Sequence, residues 1–206
     1  MKKIILIVLF FCVKQVNAQT WVTIPDTAFV ICLHTIVPAA MNGDSLNTSS
    51  PLVTTSTHTM NVAIKNISNL FGIQYFTSLT WLNCAGNILT TLPTLPNSLT
   101  YLDCAGNVIT SLPSLPTSLT NLDCHLNYLT SLPSLPNSIQ VLDCNENSLT
   151  SIPTLPNSLQ TFVCSGNPSL TSLPALPNSL TLLECLNNSL TSLPALPNSF
   201  QTLACN

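Results

Sequence analysis

The sequence predicts a solenoid: one parallel β-sheet built from a short unit laid down repeatedly, with an extended return path behind it. Three observations carry this. A 20-residue phrase is written six times and begun a seventh, with cysteines marking its beat at Cys84, Cys104, Cys124, Cys144, Cys164, Cys185 and Cys205, and a single interval of 21 from Cys164 to Cys185. A fixed period of this size means units that each pack only on their neighbours. Around each cysteine apolar and polar residues alternate, as in Leu102-Asp103-Cys104, the pattern of a strand with one buried face. And 12 of the 16 prolines fall in the second half of the unit. Proline fixes φ and removes donors, so that half is extended, not helical.

The elements follow in chain order. Residues 1–18 read as a cleavable export signal: Lys2-Lys3, an apolar run over residues 4–13, and Val16-Asn17-Ala18 as a cleavage site before Gln19. The run is too short for a membrane span, and Phe11 stands before Cys12 where a lipoprotein signal has a small residue. Residues 19–78 read as a cap. Pro25-Asp26 opens a helix with Phe29, Leu33 and Ile36 on one stripe. A polar loop runs to about Thr59. Val62-x-Ile64 and Ile67-x-x-Leu70-x-x-Ile73 then form a degenerate first repeat. Such a cap covers the core that a first repeat would expose.

Residues 79–206 carry the repeats. Their first half fits L-x-x-L-x-C-x-x-N-x-L, with copies starting at Leu79, Leu99, Leu119, Ile139, Leu159, Leu180 and Phe200. This resembles the leucine-rich repeat, with Cys in the slot usually held by a third leucine. The second half, Leu-Pro-x-Leu-Pro-Asn-Ser over residues 92–98, resembles the short bacterial class known from injected effectors of enteric pathogens. It is still more similar to secreted repeat proteins of the Bacteroidetes, and residues 23–76 resemble their amino-terminal cap. The resemblance implies a leucine-rich-repeat solenoid with a curved parallel sheet on its concave side, an extended polyproline convex side and a small helical cap. It also implies further repeats and a sorting domain, whereas the chain stops at Asn206 inside a strand copy. The expectation is therefore a truncated carboxy-terminal end, because a complete protein would present an open strand edge.

Within a unit, Leu102 and Cys104 are expected to point inward, and Tyr101, Asp103 and Ala105 outward. Neighbouring strands then run about 4.8 Å apart. Asn107 and its equivalents Asn87, Asn127, Asn147, Asn167 and Asn188 fall where the chain turns inward, placed to bond backbone groups that would otherwise be buried unpaired. Leu92 and Leu95 are needed in the core, which argues against the proline spacing being a ligand for aromatic-grooved domains.

Removal of the leader takes away Lys2, Lys3 and Lys14 and leaves Lys65 against seven acidic residues, a formal charge of −6. Such a surface does not hold nucleic acid or an anionic membrane by charge, and no other segment is long and apolar enough for a membrane span. The strings Asp26-Thr27-Ala28 and Asp44-Ser45-Leu46 match an O-glycan acceptor pattern of exported Bacteroidetes proteins, but ordinary turn chemistry accounts for both.

No catalytic set emerges. His34, His58 and His125 lack a spaced nucleophile, C-x-x-C zinc spacing is absent, and five glycines form no phosphate loop. No enzyme activity, cofactor or metal is expected. Export favours disulfides, yet the cysteines occupy the buried strand slot, and their parallel side chains suit the disulfide torsion poorly; buried thiols are the expectation.

The residue before each Cys reads Asn83, Asp103, Asp123, Asp143, Val163, Glu184, Ala204. Three aspartates on adjacent strands repel by about 0.8 kcal/mol per pair in water; calcium or a basic partner would relieve this, and a solubilising stripe is the plainer reading. Trp81 and Tyr101 are expected as exposed aromatics on neighbouring strands, residue types that anchor binding. The expected ligand-binding surface is therefore Trp81, Tyr101, Asp103, Asp123, His125 and Asp143 on the concave face. The functional expectation is a secreted or cell-surface binding module for a protein or a glycan. The alternatives are a structural spacer or adhesin stalk without a specific ligand, or a non-catalytic fragment of a larger exported protein, including one whose catalytic domain lies beyond Asn206. Nothing in the sequence sets the oligomeric state.

Overall fold

The computed structural model describes residues 19–205, so the expected leader over residues 1–18 lies outside the described residues. The cap opens with strand β1 (Trp21–Thr23) and helix α1 (Thr27–Ile36). The helix starts where it does because Asp26 is extended and its carboxylate accepts the Phe29 N–H at 2.9 Å, satisfying one of the orphan donors of the first turn. Phe29, Val30, Cys32 and Leu33 are buried, while Ile36 is only partly so.

Beyond the helix the structure departs from the expected loop. Strands β2 (Met41–Asn42) and β3 (Ser45–Asn47) make a hairpin around Gly43, and β1 adds antiparallel to β3, giving the order β1-β3-β2. A π-helical turn, Leu52–Ser56, follows. Strands of two or three residues are too short to show a period. The pairing of β3 with β1, more than 20 residues upstream, orders the hairpin.

Eight strands then stack in parallel and in chain order: β4 (Thr59–Asn61), β5 (Trp81–Asn83), β6 (Tyr101–Asp103), β7 (Asn121–Asp123), β8 (Val141–Asp143), β9 (Thr161–Val163), β10 (Leu182–Glu184) and β11 (Thr202–Ala204). They are in register, so Leu82, Leu102, Leu122, Leu142, Phe162 and Leu183 form one row, all at 0–1% exposure. Cys84 through Cys185 form the next inward row and are free thiols; Cys205, in the last described turn, is exposed, unlike its six equivalents. Sγ of Cys84, Cys104 and Cys124 lies 3.3–3.4 Å from the carbonyl of the aspartate on the next strand.

The first repeat is shifted from its expected place. Its strand is β4, around buried Met60; Val62 continues the core, but Ile64 is 81% exposed with φ of 56°. Position 64 belongs to a column with Gly86, Gly106, Leu126, Glu146, Gly166 and Asn187, all at positive φ. There the chain leaves the strand and must bend left-handed, a conformation glycine adopts freely and Ile does not.

Just past this bend lies the asparagine row. Asn107 Nδ2 donates to the carbonyls of Cys84 (3.1 Å) and Cys104 (3.0 Å), and its Oδ1 accepts the Leu89 N–H at 3.0 Å. Asn127 and Asn147 repeat the set one turn on. Each amide therefore closes groups of its own turn and of the turn before.

The return path is extended. It ends in a turn closed by the Leu99 N–H to the Pro96 carbonyl, repeated from Pro116 to Leu119 through Pro197 to Phe200. Serine after this proline is structural as well: Ser98 and Ser118 hydroxyls donate to the Leu79 and Leu99 carbonyls of the preceding turn. Leu92 and Leu95 are buried as expected, while Leu112 and Leu115, their equivalents, are only partly covered.

The 21-residue unit keeps its strand in register, Phe162 opposite Leu183. The extra residue is taken up after Asn167. A turn closes from the Leu170 N–H to the Asn167 carbonyl, and Asn188 Oδ1 accepts the Asn167 N–H in place of a leucine's. No helix among the described residues is long and apolar enough to cross a membrane.

Candidate functional site

Period-two alternation places three columns on the outer side of the sheet. Strand pairing sets Trp81, Tyr101, Asn121 and Val141 side by side, and likewise Asn83, Asp103, Asp123 and Asp143. Backbone bonds continue past the strand ends, Gly106 N–H to His125 and Leu126 N–H to Asn145, and extend the ladder to a third column of Ala85, Ala105, His125 and Asn145.

The aromatic pair is not simply exposed. Trp81 and Tyr101 stack with centroids 5.3 Å apart and planes 14° from parallel, and each is half-buried. Offset stacking of this kind contributes about 0.5–1.5 kcal/mol beyond area burial, so the two rings form one rigid plate. Burial, with the charges of Asp103 and Asp123, pushes the Tyr101 phenol up. Ala105, expected outward, is 4% exposed yet outside the core cluster; its methyl is too short to rise past its neighbours.

The acidic column has a backbone role. Asp103, Asp123 and Asp143 each accept the N–H two residues ahead, from Ala105, His125 and Asn145, at 3.1–3.2 Å. Asn61 and Asn83 do the same at the start of the row. Burial pushes Asp103 and Asp143 up; the amide bonds oppose this and the neighbouring Asp123 charge adds to it. His125 Nδ1 sits 2.6 Å from Asp123 Oδ1. Burial alone would lower this imidazole, but the Asp123 hydrogen bond and the charges of Asp123, Asp143 and Asp103 raise it above the usual histidine range.

All six expected site residues thus share one face. Asp123, His125 and Asp143 come close enough for one ligand atom from each to lie within 4.8 Å of the others. Asp103 links this group to the aromatic plate through the ladder. Asn145 was not signalled by the sequence beyond its column: its Oδ1 is buried with no hydrogen-bond partner. The other histidines contact backbone, His34 the Gly43 carbonyl and His58 the Ser78 carbonyl. Two surface depressions lie elsewhere: one of about 280 Å³ beside α1, reached by Ile31 and Lys65, and one of about 460 Å³ on the return path, reached by Ser114 and Pro136. The candidate site is a face, not a cavity.

No protein-family model and no curated protein matches the chain. Solved structures do. The functional domain of InlJ from Listeria monocytogenes, described as including a cysteine ladder, superposes with a TM-score of 0.78 at 28% identity over 92% of this chain and 44% of its own. YopM from Yersinia enterocolitica WA-314 gives 0.69 at 34% identity over 71% and 32%. A Shigella effector leucine-rich-repeat domain gives 0.53 at 32% identity over 68% and 54%. The chain spans from about a third to about half of the length of these bacterial leucine-rich-repeat structures. The fold is a leucine-rich-repeat solenoid, as in these bacterial structures.

Proposed function

We propose that this solenoid is an exported or cell-surface recognition module that binds a protein or glycan on the concave, outer side of its sheet and catalyses no reaction. The observation that carries the reading is the Trp81–Tyr101 plate, in register with Asp103 on the same strands. A flat aromatic surface offers rigid area that a sugar ring or an apolar side chain can cover. The carboxylates beside it offer directional acceptors to hydroxyls or to Lys and Arg. Lys65 is the sole lysine beyond position 18 and the sequence has no arginine, so a protein partner is expected to bring the positive charge, and nucleic acid is not expected as a partner.

A glycan array and a photo-crosslinking capture from cell-surface protein, each with the purified chain, test the reading. Wild type and Ser114→Ala, which changes the exposed return path, are expected to retain the same ligands. The double change Trp81→Ala with Asp103→Ala is expected to lose them without losing the fold. Loss with Ser114→Ala but not with the double change would place the interface on the wrong side.

A spacer without a ligand is the second reading. It is favoured by the backbone bonds that occupy the carboxylates of the acidic column. Under it, neither probe captures anything specific.

A further inference from the structure

We propose that Asp123, His125 and Asp143 form a binding site for a single divalent cation of the zinc class. The proposal does not depend on the ligand reading above. Two observations carry it. The first is a mixed donor set. One imidazole and two carboxylates from neighbouring strands present ligand atoms within 4.8 Å of one another, and the in-register pairing of Asp123 with Asp143 fixes their spacing through the backbone. Imidazole with carboxylate suits zinc and its first-row neighbours, whereas calcium and magnesium take oxygen alone.

The second is independent of charge. Asn145 stands beside His125 in the ladder and two residues after Asp143, and its Oδ1 is buried without a partner. A buried acceptor left unpaired costs about 1–3 kcal/mol, so the ladder position next to this donor set is short of a donor or a cation. Three protein ligands with one position open to a further oxygen or to solvent is a common arrangement for zinc.

His125 Nδ1 and Asp123 Oδ1 lie 2.6 Å apart, closer than two ligands of one tetrahedral ion, which stand about 3.3 Å apart at bond lengths of about 2.0 Å. The cation takes the place of the proton between them, which leaves to solvent, and the pair opens by rotation of the His125 ring while the Asp123 carboxylate keeps its bond to the His125 amide. The site is held by backbone-anchored groups. The Asp123 and Asp143 carboxylates are already fixed by the His125 and Asn145 amides, so few rotamers are lost on binding.

Zn²⁺ titrated into the purified chain carrying Cys205→Ser tests this; the change removes the one exposed thiol of the ladder. One Zn²⁺ per chain is expected. His125→Ala and Asp143→Asn are each expected to weaken binding by about tenfold or more, with unchanged far-ultraviolet circular dichroism in the absence of metal. His58→Ala, whose ring contacts the Ser78 carbonyl, is expected to leave the affinity as it is. Nitrogen shifts of the His125 ring should move on Zn²⁺ addition, those of His58 not. Absence of 1:1 binding, or equal affinity in His125→Ala and Asp143→Asn, overturns the proposal. If a variant loses its fold, the His125 ring shifts of the parent chain decide alone.

Discussion

Asp26 and Ser68, 42 residues apart in sequence, meet at 2.7 Å, where the Ser68 hydroxyl donates to Asp26 Oδ2. The Ser68 and Asn69 amides reach the same oxygen, and the Phe29 amide takes the other. One carboxylate therefore starts the cap helix and fastens it to the first repeat.

Asp26→Ala is expected to destabilise the fold by about 1–3 kcal/mol, because it removes a helix cap and leaves amides unpaired. Chemical denaturation of both proteins measures the difference.

The same carboxylate predicts a pH effect. Burial pushes Asp26 up, but the Ser68 hydroxyl and the Phe29, Ser68 and Asn69 amides outweigh this and hold it below the usual range. A depressed carboxylate stabilises the fold above its unfolded value of about 3.9, and that stability is lost as pH falls through the folded value. Wild type should therefore lose stability below about pH 4 more steeply than Asp26→Asn, measured as denaturation midpoints over a pH series.

Leu122→Ala is expected to cost about 2–5 kcal/mol, since the side chain is 1% exposed and its loss opens a cavity between two turns. Asp123→Ala, on the other side of the same strand, gives up bonds to His125 but relieves repulsion from Asp103 and Asp143. Its net cost should be about 1 kcal/mol or less. Equal losses in denaturation would reverse the assignment of the strand faces.

Asn127→Ala is expected to cost about 2–4 kcal/mol, because it strands the Ile109 N–H inside the solenoid and removes the Asn127 bonds to the Cys104 and Cys124 carbonyls, which keep only those from Asn107 and Asn147. Asn127→Asp should be no better tolerated: a carboxylate would face the carbonyls of Cys104, Cys124 and His125. Thermal melting of the two variants checks this.

Cys104, Cys124 and Cys144 should resist a thiol-reactive probe until the chain is denatured. All three are at 0% exposure, and burial raises each thiol well above its usual range, so almost no thiolate forms. A Cys104–Cys124 disulfide in non-reducing peptide mapping would contradict the arrangement.

The sheet and its columns were legible in the sequence because period and alternation are local, and seven copies repeat the same signal. Cys104 inward and Asp103 outward follow from that alone. The cap was legible only as far as its helix. Strand β3 is ordered by pairing with the distant β1, and β2 through β3, while Asp26 is held by Ser68, far along the chain. At the candidate site, the columns fixed which residues share a face. They could not show that Trp81 spends one side of its ring on Tyr101, that Ala105 is covered, or that Asn145 holds an unpaired oxygen. Those depend on side-chain rotation and height, which spacing does not encode.

The 21-residue unit shows where this architecture can change length. The residue gained near Pro168 and Ser169 shifts neither strand pairing nor the cysteine row, because a local turn absorbs it and Asn188 exchanges one amide for another. Closing a longer loop at that point costs only about 0.6 kcal/mol for each doubling. The segment after the asparagine is thus a tolerant seam. Foreign peptide grafted there would be displayed at the side of the molecule without disturbing the phase of the turns beyond, and a lineage of such proteins can acquire insertions at this seam more readily than within the strands.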